Sequence, residues 1–201
     1  MKVIERCDAV LLPGSKADVD PAKFNAARHP KTAAADPRRD TVDELLLQDA
    51  YNMRKPILGI CYGLQVLNVY RSGSLVQHID SPINHAAGRT VAVAHRVEVT
   101  PGSTLARVIV PGLSSLNIPV NSSHHQSADV IGDGLCAVAH CPEDGIVEAV
   151  EGDSPDHFVL AVQWHPERSV DDDEHSRAIF RRLIEAARER HRQLEGEFES
   201  V

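Results

Sequence analysis

"LGICYGLQ", residues 58 to 65, places Cys61 between Gly59 and Gly63 at the end of an apolar run. A cysteine that only fills a core needs no such neighbours, because a small apolar side chain packs almost anywhere. A cysteine displayed at a tight strand-to-helix turn does need them. Upstream, Pro56 stops a helix and "ILGI" (57–60) reads as a short buried strand. Downstream, "YGLQVLNVYRSG" (62–73) sets Leu64, Val66 and Leu67 on one side and ends at Gly73, a helix with a glycine stop. The pattern G-x-C-x-G is thus a cysteine form of the nucleophile elbow. The helix N-terminus then lowers the thiol pKa, and the Tyr62 backbone N–H is free to stabilise an oxyanion. The pentapeptide alone fits a buried structural cysteine beside turn glycines equally well.

A nucleophilic thiol needs a base, and the base needs an orienting group. "VQWHPE" (162–167) offers both at the end of the apolar strand "FVLAVQ" (158–163). His165 supplies the imidazole, Glu167 lies two residues on, and Pro166 stiffens the link. A carboxylate so close fixes the ring and supports its protonated form.

Working outward, "DAVLLPG" (8–14) is a buried strand opening into a loop at Pro13-Gly14. Residues 15–40 lack a sustained period and read as a long surface loop with one helical turn near Pro21–Ala27. "DTVDELLLQDAYNMRK" (40–55) predicts a helix with a capping box from Thr41 to Glu44. Strands are expected at 91–100, where Val91, Val93, His95, Val97 and Val99 alternate, and at 135–140, 145–150 and 158–163. A closing helix spans about 172–193, with Asp172, Asp173 and Glu174 in its first turn and Arg188, Arg190 and Arg192 near its end. No repeat or composition break divides the chain, so residues 1–195 read as one domain and 196–201 as a frayed tail. Strand, helix, strand, helix, then several strands and a helix describe a parallel-centred α/β sheet with an antiparallel addition.

Composition narrows the function classes. The 201 residues are 42% hydrophobic and 25% charged, ordinary for a globular protein, and carry a net charge of −8. That balance argues against nucleic acid and anionic membrane as partners. No stretch approaches the length of a membrane span. Four cysteines without a C-x-x-C pair argue against a disulfide framework or a cysteine zinc site, and a reducing cytoplasm is the simplest location.

Taken together, G-I-C-Y-G-L-Q and W-H-P-E resemble the class I glutamine amidotransferase-like superfamily. With "LLPGSKADVDP" (11–21), "NSSHHQ" (121–126) and "DGIVEAVE" (144–151), the chain is similar to the gamma-glutamyl-gamma-aminobutyrate hydrolase group, in order from about residue 8 to about residue 185. The resemblance implies a flavodoxin-like three-layer sandwich with a mostly parallel central sheet. It also implies hydrolysis of a gamma-glutamyl amide through a thioester, in the setting of polyamine degradation and without a cofactor. Cys61 would be the nucleophile, His165 the base and then acid, Glu167 the orienting carboxylate, and Tyr62 and Gly14 the oxyanion donors. Gln65 matches a position that holds the glutamyl group, or is an ordinary polar helix residue. His124, His125 and Gln126 fall in the segment that faces substrate. As metal ligands His124 and His125 point to different sides, and no further His/Asp/Glu pattern completes a site, so no metal is expected. Glu148 either meets the substrate's amino group or is a solvated strand residue.

Two departures stand out. Ser15-Lys16-Ala17-Asp18 replaces a run of glycines before the aspartate, and His78 stands where relatives commonly have an aspartate. Relatives also carry about two βα units ahead of the "DAVLLPG" strand, whereas here seven residues precede it. An open sheet edge is therefore expected, with a start upstream, a covering partner such as a second copy in a homodimer, or a poorly stable copy. Two other functions stay open beside the hydrolase: a glutaminase subunit feeding ammonia to a separate synthase, and a catalytically silent binding module.

Overall fold

The continuous apolar run before Cys61 has its physical reason in the computed structural model, which describes residues 3–109 and 116–199. In chain order the elements are β1 (Val10–Leu12), α1 (Pro37–Asn52), β2 (Ile57–Ile60), α2 (Tyr62–Tyr70), β3 (Leu75–Val76), β4 (His95–Val99), α3 (Thr104–Ile109), β5 (Asn117–Val120), β6 (Ser127–Ala128), β7 (Leu135–His140), β8 (Val147–Gly152), β9 (Val159–Val162) and α4 (Glu174–Glu199). All four residues of β2 are buried because the strand lies between two parallel neighbours and is covered on both faces. Seven strands form one sheet in the order β1-β2-β9-β8-β7-β4-β5, and β3 pairs with β6 in a small second sheet.

The sheet divides the core into two apolar layers. On one face Leu58, Ile60, Leu160 and Val162 pack with Leu105 and Ile109 of α3 and Ile179 and Leu183 of α4. On the other, Ile57, Val159 and Ala161 pack with Leu47 and Ala50 of α1 and Leu64 and Leu67 of α2. Successive residues of β2 and β9 thus serve opposite layers, as the period of two requires. The α/β class and the helix–sheet–helix layering agree with expectation. The parallel part is smaller than expected: only β1, β2 and β9 run parallel, and the pairings β9–β8, β8–β7, β7–β4 and β4–β5 are antiparallel.

Boundaries moved where local chemistry outweighed periodicity. The first helix begins at Pro37, because Asp36 caps it by accepting from the Arg38 and Arg39 N–H groups, while Thr41 turns its hydroxyl back to the Pro37 carbonyl. Strand β4 starts only at His95, leaving Val93 exposed. The strand expected at 145–150 runs 147–152, after Gly145 takes φ +73° in the preceding turn. Helix α4 continues through residues 196–199, so that part of the expected frayed tail is helical; 200 and 201 lie outside the described residues. Among the described residues β1 pairs with β2 alone, making it the last strand at its end of the sheet. No described helix is long and apolar enough to cross a membrane.

Candidate active site

Register brings the three segments of interest together. Leu12 pairs with Gly59, and Gly59 with Ala161, so the carboxyl ends of β1, β2 and β9 lie side by side. Gly14, Cys61 and His165 follow those ends, the place where parallel sheets gather reactive groups.

The elbow is shaped by both glycines. A Cβ on Gly63 would stand 2.1 Å from the Leu12 carbonyl oxygen, and one on Gly59 would stand 2.9 Å from Ala161 Cβ and from the Gly63 backbone. Only bare backbone lets α2 descend this close to β1 and β2. Cys61 itself adopts φ +52° and ψ −104°, a conformation that L residues rarely hold. Its N–H donates to the Val162 carbonyl at 2.8 Å, and its carbonyl accepts from Leu64 and Gln65 as α2 begins.

His165 is buried and fixed from two sides. Its ring Nδ1 lies 2.7 Å from Glu167 Oε1. Its backbone is clamped by Asn121, whose Nδ2 donates to the His165 carbonyl at 2.9 Å while its Oδ1 accepts from the His165 N–H at 3.0 Å. A Cβ on Gly14 would sit 3.0 Å from His165 Cε1 and 3.7 Å from Cys61 Cβ, so imidazole and thiol flank the same glycine. Arg39 adds a further restraint. Its guanidinium donates to the Pro13 carbonyl at 2.6 Å, stacks over the Tyr62 ring at 5.1 Å and pairs with Asp43 at 2.7 Å. Because a peptide is planar and trans, holding the Pro13 carbonyl also fixes the Gly14 N–H on the opposite side. The Tyr62 hydroxyl donates to Asp40, which anchors the residue whose N–H follows the thiol.

Electrostatics depart from expectation at Cys61. Burial pushes the thiol up to about 12, and neither the Tyr62 N–H nor the Arg168 charge offsets this. Burial thus opposes the lowering expected from the helix N-terminus. Glu167 behaves in the opposite way: burial would raise it, but the hydrogen bond and charge of His165, with Arg168, hold it below the usual carboxylate range. Glu167 is thus held as an ionised carboxylate against the His165 ring.

The remaining expected residues separate. Gln65 and Gln126 meet under the elbow, where Gln65 Nε2 donates to the Gln126 carbonyl and to Gln163 Oε1, both at 3.2 Å. His125 turns to Asp18 at 3.0 Å and stays partly exposed. The His124 ring donates to the same Gln126 carbonyl and faces Glu148 together with His85 and His95. This corrects two expectations: Glu148 is fully buried rather than solvated, and a His/Glu pattern does complete around His124. Asn121, Arg39 and His85 carry no sequence signal of their own, although Asn121 opens the "NSSHHQ" segment.

The chain is similar to known proteins over most of its length. The chain is 39% identical over 190 residues to "Putative glutamine amidotransferase Rv2859c" of Mycobacterium tuberculosis, covering 92% of this chain and 57% of that protein's length. It is 34% identical over 195 residues to the gamma-glutamyl-gamma-aminobutyrate hydrolase PuuD of Escherichia coli (strain K12), covering 92% of this chain and 74% of the relative. Among solved structures, a "putative gmp synthase subunit a protein" from Thermoplasma acidophilum shares the fold with a TM-score of 0.65 at 20% identity, over 97% of this chain and 79% of that one. The Peptidase C26 family model matches residues 1–167, and with these relatives it shows that the chain belongs to that family, within the class I glutamine amidotransferase-like superfamily.

Proposed function

We propose that this chain is a cysteine hydrolase of gamma-glutamyl amides that works through a gamma-glutamyl thioester. The observation that carries the reading is the meeting of Cys61, Gly14 and the His165–Glu167 pair at the ends of three parallel strands. Since the Cys61 thiol rests neutral, its proton passes to His165 as sulfur attacks the gamma-carbonyl carbon. Glu167 stabilises the imidazolium that forms. The N–H groups of Tyr62 and Gly14 receive the developing oxyanion, and a preorganised donor of this kind is worth about 3–4 kcal/mol. His165 then returns its proton to the leaving amine nitrogen as the C–N bond breaks. Water attacks the thioester with His165 again taking a proton, which releases glutamate and restores the thiol.

The gamma-glutamyl specificity is supported by the E. coli relative's name, and Gln65 sits one helical turn beyond the nucleophile, beside Gln126. The test is glutamate release from gamma-glutamyl-gamma-aminobutyrate, from other gamma-glutamyl amines and from glutamine, beside a Cys61→Ala control. Release from gamma-glutamyl amines that vanishes in the control is the expected result. Release from glutamine alone, and only with a synthase present, would replace this reading with that of a glutaminase subunit. No release from any substrate would make the chain a silent binding module.

A further inference from the structure

Independently of the gamma-glutamyl reading, the antiparallel half of the sheet holds a second group of buried side chains that the chemistry above does not use. His85 lies in the loop before β4, His95 is the first residue of β4, His124 is in the loop after β5, and Glu148 is on β8. Their side chains are between 0% and 3% exposed. His85 Nδ1, His95 Nε2 and His124 Nε2 approach Glu148 Oε1 at 3.2, 3.4 and 3.5 Å, and all four atoms lie within 4.8 Å of one another. None of these approaches has hydrogen-bond geometry, and both Glu148 oxygens lack a hydrogen-bond partner.

The outward ring nitrogens explain why. His85 Nε2 lies 2.8 Å from Asp144 Oδ2, His95 Nδ1 lies 3.0 Å from the Arg96 carbonyl, and His124 Nδ1 lies 2.9 Å from the Gln126 carbonyl. Carbonyls can only accept, and Asp144 already accepts from the Ser81 hydroxyl and the Ile146 N–H. Each ring therefore spends one N–H outward, and its inward nitrogen, once deprotonated, has a lone pair to give a cation. Three lone pairs and a carboxylate oxygen converge in a dry interior, where each unsatisfied polar atom costs about 1–3 kcal/mol. A cation among them removes that cost.

We propose that His85, His95, His124 and Glu148 form a closed binding site for a divalent transition metal of the zinc class. Zinc at about 2.0–2.1 Å from its ligands puts tetrahedral ligands about 3.3–3.4 Å apart, which brackets the middle of the observed approaches to Glu148. Imidazole donors exclude calcium and magnesium, which take oxygen ligands. Asp144, behind His85, and the two carbonyls, behind His95 and His124, are the outer acceptors that orient metal-binding histidines. The charge also balances, since Glu148 and Asp144 offset a dication. With four protein ligands and no open face the site is structural. It ties the loop before β4 and the loop after β5 to the sheet. The latter loop begins with Asn121, the residue that clamps the His165 backbone.

The experiment uses the tag-free full chain, stripped with a chelator, loaded with zinc and desalted. About one zinc per chain is expected by elemental analysis, with a melting temperature that rises on loading. His95→Asn and Glu148→Gln should lose the retained zinc and the thermal shift. Asp144→Asn, which removes no ligand, should weaken zinc about 10–100-fold in competition with a chromophoric chelator. Cobalt(II)-loaded wild type should show the visible absorption of four-coordinate nitrogen and oxygen ligation, a readout that holds even where a variant fails to fold. Folded wild-type protein that retains no stoichiometric zinc, or cobalt spectra of six-coordinate type, would overturn the proposal. So would zinc retention unchanged in both ligand variants.

Discussion

Around β2 and β9 the chain positions reactive groups by backbone contact, with Gly59, Gly63 and Gly14 each leaving room that a single methyl would fill. Around β4 and β8 it positions groups by burying polar side chains, with three histidines turned on one carboxylate. The first arrangement is sensitive to volume and the second to charge. Parallel strands with apolar residues on both faces leave no place for a polar network, whereas the antiparallel half leaves Glu148 room to face inward. The halves meet at Asn121, which directly follows β5 and holds the backbone just beyond β9.

Substitutions can break or sharpen this contrast. The largest effect is expected from Glu167→Gln, which keeps the shape but removes the charge on His165. Turnover should fall about 10²–10⁴-fold with little change in KM, measured as steady-state glutamate release. Equal activity would mean the pair does not act in the chemistry. Gly63→Ala drives a methyl into the Leu12 carbonyl and should cost about 3 kcal/mol, a loss of about 6–12 °C in melting temperature. An unchanged melting temperature would show that the elbow yields, and that backbone contact does not set it. Asn121→Ala leaves the buried His165 N–H without a partner and its carbonyl with the Arg168 N–H alone, and should cost about 1–2 kcal/mol in chemical denaturation.

The last test concerns pH. With its thiol raised to about 12, Cys61 carries a thiolate fraction that grows about tenfold per pH unit throughout the accessible range. Alkylation of Cys61 by iodoacetamide, followed at its own peptide by mass spectrometry, should rise from about pH 6 to pH 10 without a plateau. A plateau near neutrality would reveal a resting thiolate–imidazolium pair and reverse the order of proton transfer.

The elbow was legible because its determinants are local. Strand, glycine, cysteine, glycine and helix lie within about a dozen residues, and His165 and Glu167 are two apart. Strand β7 matched its expected span of 135–140 for the same reason, with turn residues on either side. The histidine group was not legible, because four segments reach it and only the pairing of β4 with β7 and β7 with β8 brings them together. One trace existed: His95 falls in phase with the buried Val97 and Val99, an ionisable residue in an inward slot. The sheet's balance of directions was equally non-local, since a short apolar strand reads alike in either orientation.

Cys61 at φ +52° has one more consequence. Glycine accepts such backbone angles freely, while any other residue holds them at about 1–3 kcal/mol of strain. Cys61→Gly would therefore ease the turn in the same stroke that removes the sulfur. At this one position the folding free energy and the chemistry have opposite preferences. A copy of the chain released from selection for its reaction, yet kept for its fold, would drift first to glycine here.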